Sequence, residues 1–169
     1  MPIEVREARP DEHAEAGRVT ADAYREFAHV GDDGWASYLE RIADVAERAD
    51  RTTVLIAAEG DRIVGSLTLE LEERVHDEDG EEFRPLEPEE AHIRMLGVDP
   101  GARGRGVATS LMAEAERIAR AAGKTVMTLH TTPRMSTARA MYERLGYERT
   151  EDRVFPDGFV LLGYRRRLA

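Results

Sequence analysis

A chain of 169 residues is long enough to bury the core of one domain, and its formal net charge of −10 argues against a nucleic-acid partner. Because it contains no cysteine, disulfides and thiolate catalysis are excluded, and we expect the protein in a reducing compartment, the cytoplasm. The five histidines lack the spacing of metal ligands, so we expect no metal. No apolar run reaches the length of a membrane span and the N-terminus lacks the apolar core of a signal peptide, so we expect no membrane partner.

Hydrophobic periodicity and turn residues predict strands and helices that alternate along the chain. The strands are expected at residues 3–8, 53–58, 63–71, 92–98, 126–130 and 159–164, and the helices at 11–27, 35–46, 107–122 and from residue 132 or 136 to 145. Gly60 and Asp61 turn the second strand back into the third, and Gly123 and Gly146 end the last two helices. This order predicts one mixed α/β domain over residues 1–169.

The stretch between the third and fourth predicted strands is strongly acidic. Residues 70–90 contain eleven acids and two arginines, a net charge of −9, and we expect residues 72–90 to form a loop or an excursion that ends in strands. Such a segment is either a solvated loop or a rim whose charge attracts a cationic substrate. The sequence leaves both interpretations open.

A glycine-rich loop between a strand and a helix is the most informative stretch of the chain. Residues 98–108 read Val-Asp-Pro-Gly-Ala-Arg-Gly-Arg-Gly-Val-Ala, with two arginines and no acid after Asp99. The free N–H groups and the positive dipole end of the following helix favour a bound phosphate, as do the arginines. Two common nucleotide motifs do not fit. A Walker A loop needs Lys-Ser/Thr where this chain has Val107 and Ala108, and a Rossmann fingerprint needs a glycine where it has Thr109.

Two motifs of the chain match one family of enzymes. The loop contains Arg103-x-x-Gly106-x-Ala108, and residues 138–147 read Ala-Arg-Ala-Met-Tyr-Glu-Arg-Leu-Gly-Tyr. Together they resemble the acyl-CoA-binding loop and the tyrosine helix of the GCN5-related N-acetyltransferases (GNAT), and the order of elements agrees over nearly the full chain. One position departs from the family pattern. Many members carry Asn seven residues before the tyrosine, where this chain has Met135, so that hydrogen bond to the cofactor arm is not available.

The resemblance implies a fold and a cosubstrate. The fold is that of the acyl-CoA N-acyltransferases, a mixed, mostly antiparallel central sheet with splayed parallel central strands, flanked by helices. A bulge near Leu96-Gly97 would suit a glycine within a strand, the strand end would pair with the pantetheine arm of acetyl-CoA, and an amide near Leu96 would polarise the thioester carbonyl. The residues expected to bind acetyl-CoA are Leu96, Gly97, Val98, Arg103, Gly104, Arg105, Gly106, Val107, Ala108 and Thr109.

The resemblance also implies a catalytic acid and leaves the base open. Tyr142 is the implied general acid, because a tyrosine with its ordinary pKa of about 10 holds its proton at neutral pH and can donate it to the leaving thiolate. Some members carry the base eleven residues before the loop motif, where this chain has His92, whose imidazole can accept a proton near neutrality. Glu90, on the same face of the strand, is the next candidate. A water chain is the third.

The implied function is acetyl-CoA-dependent transfer of an acetyl group to a primary amine of a small-molecule or peptide acceptor. The reaction would proceed by direct attack in a ternary complex, since no cysteine is present to form an acyl-enzyme. The acidic segment suggests a cationic acceptor. The walls of the acceptor site are expected around Trp35, Tyr38, the acidic segment and residues 154–158. A non-catalytic module that binds or senses acyl-CoA is the alternative, and a pure interaction domain is a third class. The sequence does not decide whether the chain forms a homodimer.

Overall fold

The protein is built on one large β-sheet with helices on both faces. The computed structural model describes residues 2–27, 33–72, 75–76, 82–154, 158 and 160–168. The strands in these ranges are β1 (Ile3–Glu7), β2 (Thr53–Glu59), β3 (Arg62–Glu70), β4 (Val75–His76), β5 (Glu82–Arg84), β6 (Glu90–Val98), β7 (Val126–Thr131), β8 (Glu148–Arg149), β9 (Arg153–Val154) and β10 (Val160–Arg167). The α-helices are α1 (His13–Arg25), α2 (Asp33–Ala43), α3 (Val45–Ala49), α4 (Val107–Ala121) and α5 (Ser136–Arg144). None of these described helices combines the length and the apolar composition of a membrane span.

The sheet is mixed, with most of its neighbouring strands antiparallel. Its order is β1-β2-β3-β6-β7-β10-β8, and β9 also pairs with β10. Among the described strand pairs, only β6 and β7 run parallel. β4 and β5 form a separate two-stranded sheet. This architecture confirms the predicted fold class.

The two parallel strands in the middle of the sheet separate. β6 pairs with β7 only from Glu90 to Ile93, although β6 itself continues to Val98. Beyond Ile93 the described ladder of β6 is with β3 alone. The second half of β6 therefore turns one backbone edge towards a gap in the sheet, which matches the predicted splay.

The two faces of the sheet bury separate apolar clusters, because successive side chains of a strand point to opposite faces. On one face, Leu111 of α4 packs with Leu67 and Ile93. On the other face, Val19 of α1 packs with Ile56. The helices thus hold the strands from both sides and leave the gap between β6 and β7 to be covered by loops and helix ends.

A β-bulge lies in β6 at the point where the strands separate. The ladder pairs Arg94 and Gly97 with residues of β3 that are only two positions apart, so β6 has one extra residue there. The first residue of the bulge, Met95, has a φ of 54°. The bulge expected near Leu96-Gly97 is therefore centred at Met95 and Leu96, and a glycine is not what forms it.

Gly97 serves the packing of α1 instead. A Cβ added at Gly97 would lie 3.1 Å from Cα of Thr20 and 3.2 Å from Cβ of Ala23, both on α1. Such distances are shorter than ordinary packing contacts, so any larger residue would push α1 away from β6. The glycine lets the helix lie directly on the strand beside the gap.

Three parts of the chain differ from the sequence predictions. The segment expected to be a loop or a strand-ended excursion contains β4 and β5, and β6 begins at Glu90, two residues before the predicted start. The second predicted helix is interrupted at Asp44, whose carboxylate accepts a hydrogen bond from the N–H of Glu47 at 3.2 Å and caps α3. The last strand continues to Arg167, and β8 and β9 pair with it. These edge strands are two residues long, too short to produce a periodic pattern in the sequence.

Some of the predicted acceptor walls lie outside the described residues. These are the side chain of Trp35, residues 155–157 of the stretch 154–158, and residues 73–74 and 77–81 of the acidic segment. Of residues 75–76 and 82–84 in the same segment only the backbone is described.

Candidate active site

The gap between β6 and β7 opens into a cavity of about 540 Å³, called the larger cavity below. It extends from the separated strands to the loop before α4 and to α5. The predicted acetyl-CoA residues that line it are Leu96, Gly97, Val98, Arg103, Gly104, Gly106, Val107, Ala108 and Thr109. Arg105 does not line it, and its side chain instead forms an ion pair with Glu59 on β2.

The glycine-rich loop presents backbone N–H groups to the larger cavity. Gly104 and Gly106 have φ values of 77° and 80°, in the left-handed region that glycine adopts without strain. A Cβ at either position would meet no atom within 4 Å among the described residues, so backbone conformation requires these glycines and packing does not. Gly106 precedes α4 without a side-chain cap. The first N–H groups of α4 therefore need other partners, and an anion is a suitable one.

Three exposed arginines stand along the larger cavity. They are Arg103, Arg134 and Arg144. Arg103 forms an ion pair with Glu26 and donates a hydrogen bond at 3.5 Å to the carbonyl of Ala23, so it links the loop to the end of α1. Arg134 donates at 3.2 Å to the carbonyl of Phe27. The sequence motifs identified Arg103 alone, because Arg134 and Arg144 reach the cavity only through the position of α5.

Tyr142 projects from α5 into the core and also lines the larger cavity. Its ring centroid is 6.0 Å from that of Tyr147 and 6.0 Å from that of Tyr164. Burial raises the pKa of Tyr142 well above the ordinary tyrosine value. The hydroxyl therefore carries its proton throughout the physiological pH range, and Tyr142 both packs in the core and lines the larger cavity.

A smaller cavity of about 60 Å³ lies beside α1 and α2. Tyr24, Tyr38, His92 and Arg94 are among the residues that line it. The residues that line both cavities are Tyr24, His130, Thr131 and Met135. The two cavities therefore adjoin at these residues, which form the junction between them. Met135, where the family pattern would have Asn, thus lies at the junction.

His92 is the first residue of a partly buried hydrogen-bond relay that begins at the smaller cavity. Its Nδ1 is 2.7 Å from Oγ1 of Thr128, and that hydroxyl donates to Oε2 of Glu90 at 2.5 Å. Because a hydroxyl has one proton and Thr128 gives it to the carboxylate, we assign the ring proton of His92 to Nδ1, which donates to Thr128. Nε2 of His92 is then the unprotonated nitrogen of the ring, the one that can accept a proton.

Glu90 lies behind His92, away from both cavities. It is 3% exposed, and its other carboxylate oxygen accepts a hydrogen bond at 3.1 Å from the N–H of Glu87. It is absent from the described lining of either cavity. The two candidates for the base therefore occupy different places, His92 at the smaller cavity and Glu90 at the far end of its relay.

Sequence reasoning missed His130, which stands at the junction of the cavities. Its ring centroid is 5.2 Å from that of His92. β7 runs parallel to β6 with Thr128 opposite His92, so the strand period of two brings His130 to the same face of the sheet. The alternation of side chains along β7 can be predicted from the sequence. The sequence does not show that β7 pairs with β6, and only this pairing brings His130 close to His92.

The protein is thus an α/β protein with splayed parallel strands, a glycine-rich loop at a helix N-terminus that suits a phosphate, and two adjoining cavities. The sequence model described as the Acetyltransferase (GNAT) family matches residues 17–147 of the chain. The protein belongs to this family, and the family resemblance inferred from the two motifs is confirmed. None of the curated proteins matches the chain significantly.

Solved structures of acetyltransferases share the fold over nearly the whole chain. An acetyltransferase of the GNAT family from Staphylococcus aureus Mu50 is 18% identical, with a TM-score of 0.72, covering 99% of this chain and 100% of that one. The protein yncA of Salmonella typhimurium, solved with its cofactor acetyl-CoA, is 18% identical, with a TM-score of 0.70 and coverages of 99% and 94%. The PaiA N-acetyltransferase of Thermoplasma acidophilum, in complex with coenzyme A, is 14% identical, with a TM-score of 0.71 and coverages of 98% and 100%.

Proposed function

We propose that the protein is an N-acetyltransferase that uses acetyl-CoA to acetylate a primary amine of a small-molecule or peptide acceptor, by direct attack in a ternary complex. The observation that carries the proposal is the meeting of the two cavities at Tyr24, His130, Thr131 and Met135. One cavity has a phosphate-binding loop and a protonated tyrosine, and the other has a histidine with a fixed tautomer. A donor and an acceptor bound in the two cavities would touch at this junction.

The larger cavity suits acetyl-CoA in size and in chemistry. Its volume of about 540 Å³ falls within the range of small-molecule sites. The uncapped N-terminus of α4 and the arginines 103, 134 and 144 supply N–H groups and positive charge for the phosphates of the cosubstrate. Beyond Ile93, the backbone edge of β6 that faces the gap is free of β7 and suits the amide-bearing pantetheine arm. The Salmonella and Thermoplasma proteins of the same fold bind acetyl-CoA and coenzyme A.

Bound acetyl-CoA supplies a thioester, at which a C–N bond to the acceptor forms while the C–S bond breaks. Two protons then have to move. Nε2 of His92 accepts the proton that the amine loses, because its Nδ1 proton is held by Thr128. The hydroxyl of Tyr142, which lines the larger cavity and holds its proton at neutral pH as an ordinary tyrosine does, donates to the departing sulfur.

Glu90 acts in this proposal as a positioning residue. Its carboxylate holds the hydroxyl of Thr128, and Thr128 holds the imidazole of His92. A negative carboxylate at the end of the relay also favours the imidazolium that forms when His92 takes a proton. The base is therefore assigned to His92, and Glu90 supports it from behind.

The test is an acetylation assay over a panel of primary amines, with release of free thiol and the mass of each product as readouts. We expect thiol release that depends on an added amine, and a product heavier by one acetyl group. His92→Gln should lower kcat by about 100-fold and leave unchanged the increase in Tm that CoA causes, because His92 does not line the larger cavity. A Tm increase with CoA but no thiol release with any amine would instead indicate the alternative, a module that binds acyl-CoA without catalysis.

A further inference from the structure

We propose that the acceptor carries an anionic group close to its amine, a carboxylate or a phosphonate, and that Arg94 binds this group. The inference rests on the proposed acetyltransferase activity and names the substrate class of the smaller cavity. It assigns to Arg94 a role in acceptor specificity that neither of the sequence motifs contains.

Arg94 lies on the wall of the smaller cavity beside the proposed base. It follows His92 by two residues on β6, so both side chains are on the same face of the sheet. Both line the smaller cavity together with Tyr24 and Tyr38. The side chain of Arg94 is 20% exposed, which keeps its charge partly shielded from water and available to a ligand.

A buried carboxylate holds one side of the Arg94 guanidinium. Nε of Arg94 is 3.7 Å from Oε1 of Glu70, which is 2% exposed and stands opposite His92 on β3. In the part of the chain that the structure describes, this ion pair is the only polar contact of Arg94. The two terminal nitrogens therefore retain their N–H donors, in the fork geometry that matches a carboxylate or a phosphonate.

The charge on the smaller cavity favours an acceptor that carries an anion over one that carries only cations. No carboxylate occurs among the described residues that line it, since Glu70 and Glu90, which share the face of His92, are buried and do not reach its wall. A purely cationic polyamine would meet the positive charge of Arg94 without an opposing charge in the described lining. The cationic acceptor suggested by the acidic segment is thus disfavoured by the cavity itself.

The spacing of the two groups limits the size of the acceptor. Two residues along a strand span about 7 Å between Cα atoms, so an amine at His92 and an anion at Arg94 lie only a few bonds apart. The volume of about 60 Å³ also suits a small molecule. The bulge at Met95 divides β6 between the two ligands, because Arg94 before it lines only the smaller cavity and Gly97 after it lines only the larger one.

The experiment compares acceptors that share an amine and differ in the anion. Each of several amino acids is paired with its primary amide, and the panel includes aminoalkylphosphonates and a diamine. We expect the wild-type kcat/KM to be at least about tenfold higher for the charged acceptor than for its amide. The better anion of the two, carboxylate or phosphonate, identifies the source of the negative charge.

Arg94→Gln should bring the ratio of charged acceptor to amide down to about one, and Arg94→Lys should retain part of it. Arg117→Gln, on an exposed arginine of α4, is the control and should leave the ratio unchanged. Because Arg94→Gln removes the charge that faces the buried carboxylate of Glu70, the Glu70→Gln/Arg94→Gln double variant is measured as well, and the CoA-induced rise in Tm verifies folding.

Equal rates for acids and amides, or a preference for the diamine, would overturn the role of Arg94 while leaving the acetyltransferase function intact. An unchanged preference in Arg94→Gln would overturn it as well. Absence of thiol release with every amine would overturn the acetyltransferase function and this inference together.

Discussion

Nδ1 of His92 lies 2.7 Å from the hydroxyl oxygen of Thr128, which in turn donates to the buried carboxylate of Glu90. Because this relay keeps the ring proton on Nδ1, it determines which nitrogen of the imidazole is available as a base. Thr128, which lies between His92 and Glu90, thereby takes part in the proposed proton transfer, although neither sequence motif contains it.

Replacing Thr128 by valine tests the relay, because valine keeps the β-branched shape and removes the hydroxyl. We expect kcat to fall about tenfold with little change in the KM for acetyl-CoA. The free energy of unfolding should also fall by about 1–3 kcal/mol, since the carboxylate of Glu90 loses a buried partner. Thr128→Ser should restore both kcat and stability, and urea unfolding separates the two effects. If Thr128→Val kept the wild-type kcat, the assigned tautomer of His92 would have no catalytic consequence.

Tyr142→Phe tests the proposed acid by removing only the hydroxyl. We expect kcat to fall by about 100-fold, while the rise in Tm caused by CoA stays the same. The matched control is Tyr147→Phe, because Tyr147 is also buried and in contact with the ring of Tyr142 but does not line the larger cavity. Equal losses of kcat in the two variants would indicate a packing effect and remove Tyr142 from the role of proton donor.

The local parts of the site could be predicted from the sequence, since each depends on a short stretch of chain. The glycine loop can be predicted from residues 98–108, because glycines that adopt a positive φ there come directly before the N-terminus of a helix. The tyrosine helix follows from residues 138–147. Nine of the ten residues predicted to bind the cosubstrate line one cavity, and the side chain of the tenth, Arg105, forms an ion pair with Glu59 instead.

The parts assembled by the order of strands could not be predicted. His130 meets His92 only because β7 lies parallel to β6. Glu26 pairs with Arg103 only because α1 packs against β6, a closeness that Gly97 permits. The bulge was misplaced because glycine is a usual marker of a bulge, whereas here the positive φ belongs to Met95. Tertiary contacts, and not local sequence preferences, determine each of these features.

Acid should destabilise the protein through Glu12, which ties the first strand to α1. Arg6 donates two hydrogen bonds to the carboxylate, at 2.7 and 2.9 Å, and these lower the pKa of Glu12 from 4.5 to about 2. A carboxylate whose pKa is lower in the folded than in the unfolded protein stabilises the folded state at every pH above its unfolded pKa. This stabilisation is lost as the pH falls through the window from about 4.5 to about 2.

Glu12→Gln should therefore unfold more easily near neutral pH and show a smaller change in unfolding free energy across that window. Urea unfolding at several pH values measures both. Glu4→Gln is the control, since Glu4 also neighbours Arg6 but its side chain is 72% exposed, with an N–O distance of 3.8 Å. The same pH dependence in Glu12→Gln and in the wild type would contradict the prediction.

The ion pair between Arg103 and Glu26 competes with a phosphate for the same guanidinium. Glu26→Gln removes the competing charge and should lower the Kd for CoA by up to about fivefold, because an exposed pair contributes at most about 1 kcal/mol. Glu59→Gln removes the ion pair of Arg105 in the same way, but Arg105 does not line the larger cavity. The Kd of this variant for CoA should therefore change by less than about twofold. Isothermal titration with CoA at low and high salt measures both variants, and the gain from Glu26→Gln should shrink at high salt. Weaker binding in Glu26→Gln would mean that Glu26 instead orients Arg103 for the phosphate, and an equal gain in Glu59→Gln would point to the net charge of the protein as the cause.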